Sequence, residues 1–325
     1  MKAILLKSFG GAENLYLGET PDPIPLDREA LVRVRATALN RADIMQRQGK
    51  YPPPPGASEI LGLEFAGEIE KPVGRFAKGD RVMGIAAGGG YAQLISVPEG
   101  HLISIPDMIS FEEAAAIPEA FLTAYQTLFW HGEFCEGDSV LIHAGASGVG
   151  TAVIQLAKAA GAKEILVTTS SEKKMKACLS LGASRAVNYQ EEDFSKIVKT
   201  TTENLGVQVI LDFIGSSYWE KNISSLALDG RLVLISTIGG SVVPEVNLAK
   251  LLQKRIKITA TTLRSRSKDY KTKLTHTFAV YALDLFKAGL IKPVIDKVYD
   301  WGSVIEAHQR MESNKNIGKI ILKVP

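Results

Sequence analysis

The sequence predicts an α/β protein in two parts, a doubly wound parallel sheet in the middle of the chain and a β-barrel-like domain built largely from the residues before it. Three observations lead there. From residue 139 short, apolar, β-branched strands alternate with helical patterns, as in a parallel sheet covered by helices on both faces. Before Pro118 the chain is instead a series of short strands cut by Pro and Gly. Between the two, at "SFEEAAAIPEAFLTAYQTLF", the apolar period changes from two to about 3.6. A chain of 325 residues also exceeds the size at which one core stops growing.

The first part reads as the strands "KAILLKSF", "ALVRVRATAL", "FAGEIEKPV", "DRVMGIA", "YAQLISVP" and "HLISIP"; the alternation in "LVRVRA" predicts a half-exposed strand. Ser110 or the acidic pair after it starts a helix, and Pro118 interrupts it. Strand–helix pairs follow: "SVLIHA" with "VGTAVIQLAKAA", "EILVTTS" with "EKKMKACLSL", "RAVNY" with "DFSKIVKTTTE", and "VQVILDFI" with "WEKNISSLAL", then "RLVLIST". Right-handed crossovers are expected throughout. After Leu263 a helical stretch leads to "PVIDKVYDW", "SVIEAHQRMES" and "KIILKVP", a tail too short for a core of its own. It is expected to return to the first part, giving a discontinuous domain of residues 1–121 and 263–325 around a central domain of 122–262.

Composition removes several function classes. A net charge of +3, spread along the chain, is too small to drive nucleic-acid or membrane binding. Cys135 and Cys178 form no CxxC pair and no four-thiolate zinc site. The five histidines show no metal-ligand spacing, and no nucleophile elbow is present. With neither a signal-like start nor a long apolar run, the cytoplasm is the expected location.

The chemistry concentrates in "HAGASGVG". Gly145 and Gly150 take the outer places of a G-x-G-x-x-G turn, Ser147 takes the middle one, and Gly148 and Val149 open the helix. Such a turn between strand and helix carries a dinucleotide pyrophosphate on its amides, and a tight turn without ligand is the alternative. At the end of the next strand, where NAD-selective sites place an acid, this chain has Ser170 and Ser171, with Lys174 close behind. Hydroxyls and a lysine suit a 2′-phosphate, so NADPH is favoured; the alternative is a solvated helix start. Tyr51, braced by Pro52–Pro55, is a phenol able to donate to a carbonyl oxygen, although on the residues alone surface packing against the prolines is the stronger reading.

The strings Asn40-x-x-Asp43-x-x-x-Arg47-x-Gly49-x-Tyr51-Pro52, Gly62-x-Glu64-x-x-Gly67, Gly79-Asp80-Arg81-Val82, "AAAIPEAFLTAY", "HAGASGVG" and "LALDGRLVLIS" resemble the quinone oxidoreductase branch of the medium-chain dehydrogenase/reductase superfamily, along the whole chain. The resemblance implies a GroES-like catalytic domain from both chain ends, a Rossmann domain between them and an NADPH site in the cleft. It also implies a zinc-free enzyme: zinc-dependent relatives place a cysteine near Asn40 and a histidine where this chain has Gly62-Leu63-Glu64, and carry a four-cysteine lobe that is missing here.

By the same resemblance Ser147, Gly148 and Val149 meet the pyrophosphate, and Ser170, Ser171, Lys174 and Tyr189 the 2′-phosphate region. Asn40, Thr123, Ile214, Ile238, Gly239, Leu263, Ser265 and Asn316 line the nicotinamide half, and Tyr51 and Ser147 touch the substrate. Family members often have glycine at the place of Ser170. The implied activity is zinc-independent reduction of a small quinone by a homodimer. Reduction of activated C=C bonds, or a low-turnover NADPH-binding crystallin-like or RNA-binding protein, are the alternatives.

Overall fold

A computed structural model describes residues 1–325. The chain divides into one unit of Met1–Leu122 with Leu263–Pro325 and a second of Thr123–Thr262.

In the second unit six strands lie in the order Arg185–Asn188, Glu164–Thr169, Ser139–Ile142, Val207–Asp212, Leu226–Leu234 and Lys257–Ala260. Every pair is parallel. Numbered along the chain the order is 3-2-1-4-5-6, so the winding reverses beside Ser139–Ile142, where open α/β sheets bind ligands at the carboxyl ends of their strands. The core is made by Leu141, Leu166, Val187 and Ile210 from the strands and Phe194, Val198 and Ile223 from the helices. Each such side chain contributes about 1.5–3 kcal/mol on burial. One boundary departs from the apolar pattern. "WEKNISSLAL" reads as a single helix, but the helix ends at Ser225 and Leu226 already pairs with Val207, because the sheet takes the leucine that the helical period would have claimed.

In the first unit the strand Glu29–Ala38 is the centre of a seven-stranded sheet. It pairs with Glu64–Lys71 on one edge; on the other, residues 29–33 pair with Leu94–Pro98 and residues 36–38 with Lys319–Lys323. Ala30, Val32 and Val34 face the core while Arg33 and Arg35 bond Glu70 and Glu68 outside, which is the predicted alternation. Lys319–Lys323 is thus held by the N-terminal strands. No helix is long and apolar enough to cross a membrane.

Candidate active site

Strand Ser139–Ile142 delivers the chain to His143 and the glycine loop, and Ala144, at φ +51°, turns it. Ser147 then caps the helix Gly148–Ala159: its Oγ accepts from the Gly150 amide at 3.0 Å, and its own amide donates to the Ala144 carbonyl at 2.9 Å. The amides of Gly148 and Val149, half-buried in the first turn, have no helical acceptor. A Cβ on Gly145 would lie 2.7 Å from Val167 Cβ, and one on Gly150 would lie 2.5 Å from the Ala144 carbonyl oxygen. Strand, loop and helix therefore close to a distance that only bare backbone permits. Two unspent amides on a positive helix end above that turn fit a pyrophosphate. The cap uses a lone pair of Ser147 and leaves its hydroxyl hydrogen available to a ligand.

At the end of the neighbouring strand the structure gathers Ser170, Ser171, Lys174 and Tyr189. Ser171 caps the helix Glu172–Leu181, with the Lys174 amide 3.4 Å from its Oγ. The Tyr189 amide donates to the Thr169 carbonyl at 3.1 Å, and its half-exposed ring stands edge-on to Tyr218. Glu172, the acid nearest this strand end, is turned to Lys176 at 2.7 Å.

Ile214, Ile238 and Gly239 also meet within the second unit, because the Gly239 amide donates to the Ile214 carbonyl at 2.7 Å and Ile238 to Phe213 at 3.3 Å. The turn is pinned by Asp212, whose Oδ1 accepts from the amides of Ile214 at 2.7 Å and Gly215 at 3.2 Å. Asn222 Nδ2 donates to Asp212 Oδ2 at 3.1 Å, so Asn222 Oδ1 must accept from His143 Nε2 at 2.7 Å, and His143 Nδ1 accepts the Thr168 hydroxyl at 3.0 Å. Burial lowers the pKa of His143, which stays neutral in this chain of bonds. Thr123 is buried, its carbonyl accepting the Thr127 hydroxyl at 2.7 Å.

The first unit holds Asn40, Tyr51, Leu263, Ser265 and Asn316. Asn40 opens the helix Arg41–Arg47 with its amide on Asp43 Oδ2 at 2.7 Å, while its side chain turns away to donate to Glu64 Oε1 at 2.8 Å. The buried Lys319 ammonium spends all three hydrogens here: on Leu39 O at 2.8 Å, Asn40 Oδ1 at 2.7 Å and Glu64 Oε1 at 2.7 Å. No group of three or more His, Cys, Asp or Glu side chains is gathered to hold a metal ion. A cation already bonded to both Asn40 and Glu64 makes their oxygens a poor site for a second one. Asn316 is tied to Gly318 O at 3.0 Å, just before Lys319. Leu263 is buried, and Ser265 is exposed on the wall of a cavity within this unit.

Tyr51 is half-buried, which raises its pKa, and its proline run is only one of its supports. Arg264 lies over the ring at 5.3 Å and donates to the Tyr51 carbonyl at 3.3 Å; its other donors reach Ala87 O at 2.8 Å and Gln46 Oε1 at 2.6 Å. Near it stands Glu119, whose amide donates to Glu64 Oε2 at 2.8 Å while its carboxyl forms no hydrogen bond or ion pair. Burial, then the charge of Glu64, raises this carboxyl to about 8, and burial raises Asp43 to about 6.

The sign for stability follows from Glu119 holding its proton in the fold up to about 8 while an unfolded chain loses it near 4.5. Stability contributed by this group is present below 4.5 and lost as pH rises through about 8. His101, lowered by burial to about 4, and His308, to about 3, act in the opposite direction only below about pH 6.5. The histidines are common to both proteins, so thermal melts of Glu119→Gln and wild type are expected to separate progressively as pH rises from about 4.5 to about 8. The variant should gain roughly 2–4 °C at pH 8, as about 1 kcal/mol does in a domain of this size; parallel melting curves would contradict this.

Residue type and spacing do not single out Arg264, Glu119 and Lys319. The available signal was a charged residue inside an apolar or turn-like run, as in "LRSR", "IPEAF" and "GKIIL".

Residues 26–107 match the alcohol dehydrogenase GroES-like domain and residues 148–279 the zinc-binding dehydrogenase domain. The human (Homo sapiens) quinone oxidoreductase is 32% identical over 332 residues, covering 99% of this chain and 97% of that one. The synaptic vesicle membrane protein VAT-1 homolog of Mus musculus is 30% identical over 340 residues, covering 99% and 83%. The crystal structure of Escherichia coli quinone oxidoreductase complexed with NADPH superposes with a TM-score of 0.88 at 30% identity, covering 100% of both chains. A Rossmann-type sheet with a fitted pyrophosphate turn, a GroES-like unit from both chain ends and full-length relatives of this kind have one explanation: the chain belongs to the medium-chain dehydrogenase/reductase superfamily of oxidoreductases, in the group of the quinone oxidoreductases.

Proposed function

We propose that the chain is a zinc-independent NADPH:quinone reductase. The observation that carries the cofactor half is the turn at Ser147–Gly150, with its two unspent amides, beside a strand end that offers Ser170, Ser171 and Lys174 and no inward carboxylate. Bound NADPH supplies the hydride. In the second unit the amides of Gly148 and Val149 hold the diphosphate, and Lys174 with the serines takes the 2′-phosphate. Ile214, Ile238, Gly239, Thr123, Asn40, Leu263, Ser265 and Asn316 are assigned to the nicotinamide half. Calorimetric titration should give a dissociation constant for NADPH about tenfold or more below that for NADH; equal or tighter binding of NADH would reverse the assignment.

The Tyr51 phenol, fixed by Arg264, donates a hydrogen bond to the quinone oxygen as negative charge develops there, and Ser147 offers a second donor. A quinone accepts hydride readily, so solvent protonates the product and Tyr51 orients rather than ionises. With the loss of one hydrogen bond, Tyr51→Phe should turn over 1,2-naphthoquinone about 2- to 10-fold more slowly with NADPH affinity intact. An unchanged rate would remove Tyr51 from the site. The donor set at Asn40, Glu64 and Lys319 supports the zinc-free reading. The outer edge of Lys257–Ala260, beside exposed Leu248 and Leu252, supports a homodimer built edge to edge; sedimentation as a monomer would refute it.

A second reading, reduction of an activated C=C bond, is favoured by Glu119. A carboxyl that keeps its proton near neutrality, and that stands close enough to Tyr51 to raise the phenol's pKa once it ionises, is the reserve that protonation at carbon needs. Steady-state rates on a 2-alkenal against 1,2-naphthoquinone decide between the two.

A further inference from the structure

The first unit encloses a cavity of about 520 Å³, between the turn Pro54–Ser58, the loop Ala86–Gly89, the strand Leu94–Pro98 and the start of the helix Lys268–Lys287. That volume is in the range of small-molecule sites. Its walls are of two kinds. One is apolar and open to solvent: Ile24 is 87% exposed and Leu26 67%, beside Pro54 and Pro55. The other is cationic. Lys271 is 6% exposed, yet its ammonium donates only one bond in the structure, to the Arg264 carbonyl at 2.6 Å. The single carboxylate on the wall, Glu29, is occupied by the Leu26 amide at 3.2 Å, Ser96 Oγ at 2.9 Å and Lys268 Nζ at 3.1 Å. Glu29 is thus turned to Lys268, and the other carboxyl whose field reaches the Lys271 ammonium, Glu119, makes no ion pair with it and holds its proton up to about 8. The first-turn amides of the 20-residue helix, at Lys268 and Asp269, have no helical acceptor and add positive potential to the same wall.

We propose that this cavity is a binding site for an amphiphilic organic anion, a carboxylate or sulfonate on an aliphatic or aryl body. Its head lies on Lys271 and the helix start, its body on Ile24, Leu26 and the Pro54–Pro55 turn. A buried ammonium with two hydrogens unspent is costly in an apolar wall, and an anionic head group that takes both removes that cost. Arg264 is on the same wall and also holds Tyr51, so the occupant borders the residue that positions the phenol.

Isothermal titration of the full chain with decanoate tests this. Decanoate should bind at one site per chain, decyltrimethylammonium should not, and Lys271→Gln should weaken decanoate about tenfold or more. The double variant Ile24→Glu with Leu26→Glu, at exposed positions that leave the core untouched, should weaken it similarly with an unchanged melting temperature. Absence of decanoate binding, equal affinity in both variants, or equal binding of the cationic analogue would overturn the proposal. So would stoichiometric displacement of decanoate by NADPH, which would assign the cavity, with Ser265, to the cofactor instead.

Discussion

Gly150→Val is expected to abolish dinucleotide binding, with NADPH affinity falling by at least about a hundredfold in a titration. The position is helical, so the backbone angles of valine are not the obstacle. The obstacle is distance: the first side-chain carbon would lie 2.5 Å from the Ala144 carbonyl oxygen and 2.6 Å from that of Gly145, both main-chain atoms that cannot swing aside. To admit it, the helix start must move off the loop, taking the Gly148 and Val149 amides from the phosphate position. Charge-assisted bonds to two amides are worth about 1.5–3 kcal/mol each, and losing both accounts for the factor. The sheet lies beyond the disturbed turn, so far-ultraviolet circular dichroism should keep its native shape. Native affinity in a folded variant would mean that the diphosphate does not rest on this helix.

Lys319→Met should produce the largest loss of stability, about 3–5 kcal/mol in denaturant unfolding. Methionine has nearly the same length and fills the space, so little of the effect comes from packing. Glu64, wholly buried, would lose its counter-charge while still accepting from Asn40 and the Glu119 amide. Its carboxylate must then take up a proton or draw in water, either of which costs free energy. The paired variant Lys319→Met with Glu64→Gln should recover much of the loss, because no buried charge remains. Failure of the pair to recover would place the effect in the Leu39 and Asn40 contacts rather than in the ion pair.

The layers of the fold are legible where one residue type answers one local demand. Unbroken β-branched strands in "VILD" and "LVL" announced a sheet covered on both faces, and the glycine spacing announced a backbone pressed against its neighbours. Ser170, Ser171 and Lys174 stand together at one strand end for the same reason, since they are neighbours in sequence at the start of the helix Glu172–Leu181. Glu119, Arg264 and Lys319 were not readable. Each takes its role from partners far away along the chain: Lys319 from Asn40, 279 residues earlier, and Arg264 from Gln46, 218 residues earlier. A lone charge in an apolar run states that a partner exists without saying which. The end of "WEKNISSLAL" leaves the helical period for a related reason, because a leucine suits a helix and a strand equally and only the ladder to Val207 decides.

The way Glu29–Ala38 shares its edge between Leu94–Pro98 and Lys319–Lys323 has a consequence for synthesis. As the chain leaves the ribosome, the six parallel strands are complete by Ala260, when the last ladder of the other sheet has not yet been made. The central unit can acquire its native order first, while the early strands wait with an open edge and a half-covered core for a segment made only after that unit. Cotranslational chaperone demand should therefore fall on the N-terminal third of the nascent protein, and truncation of the last strand should trap that third in an aggregating form.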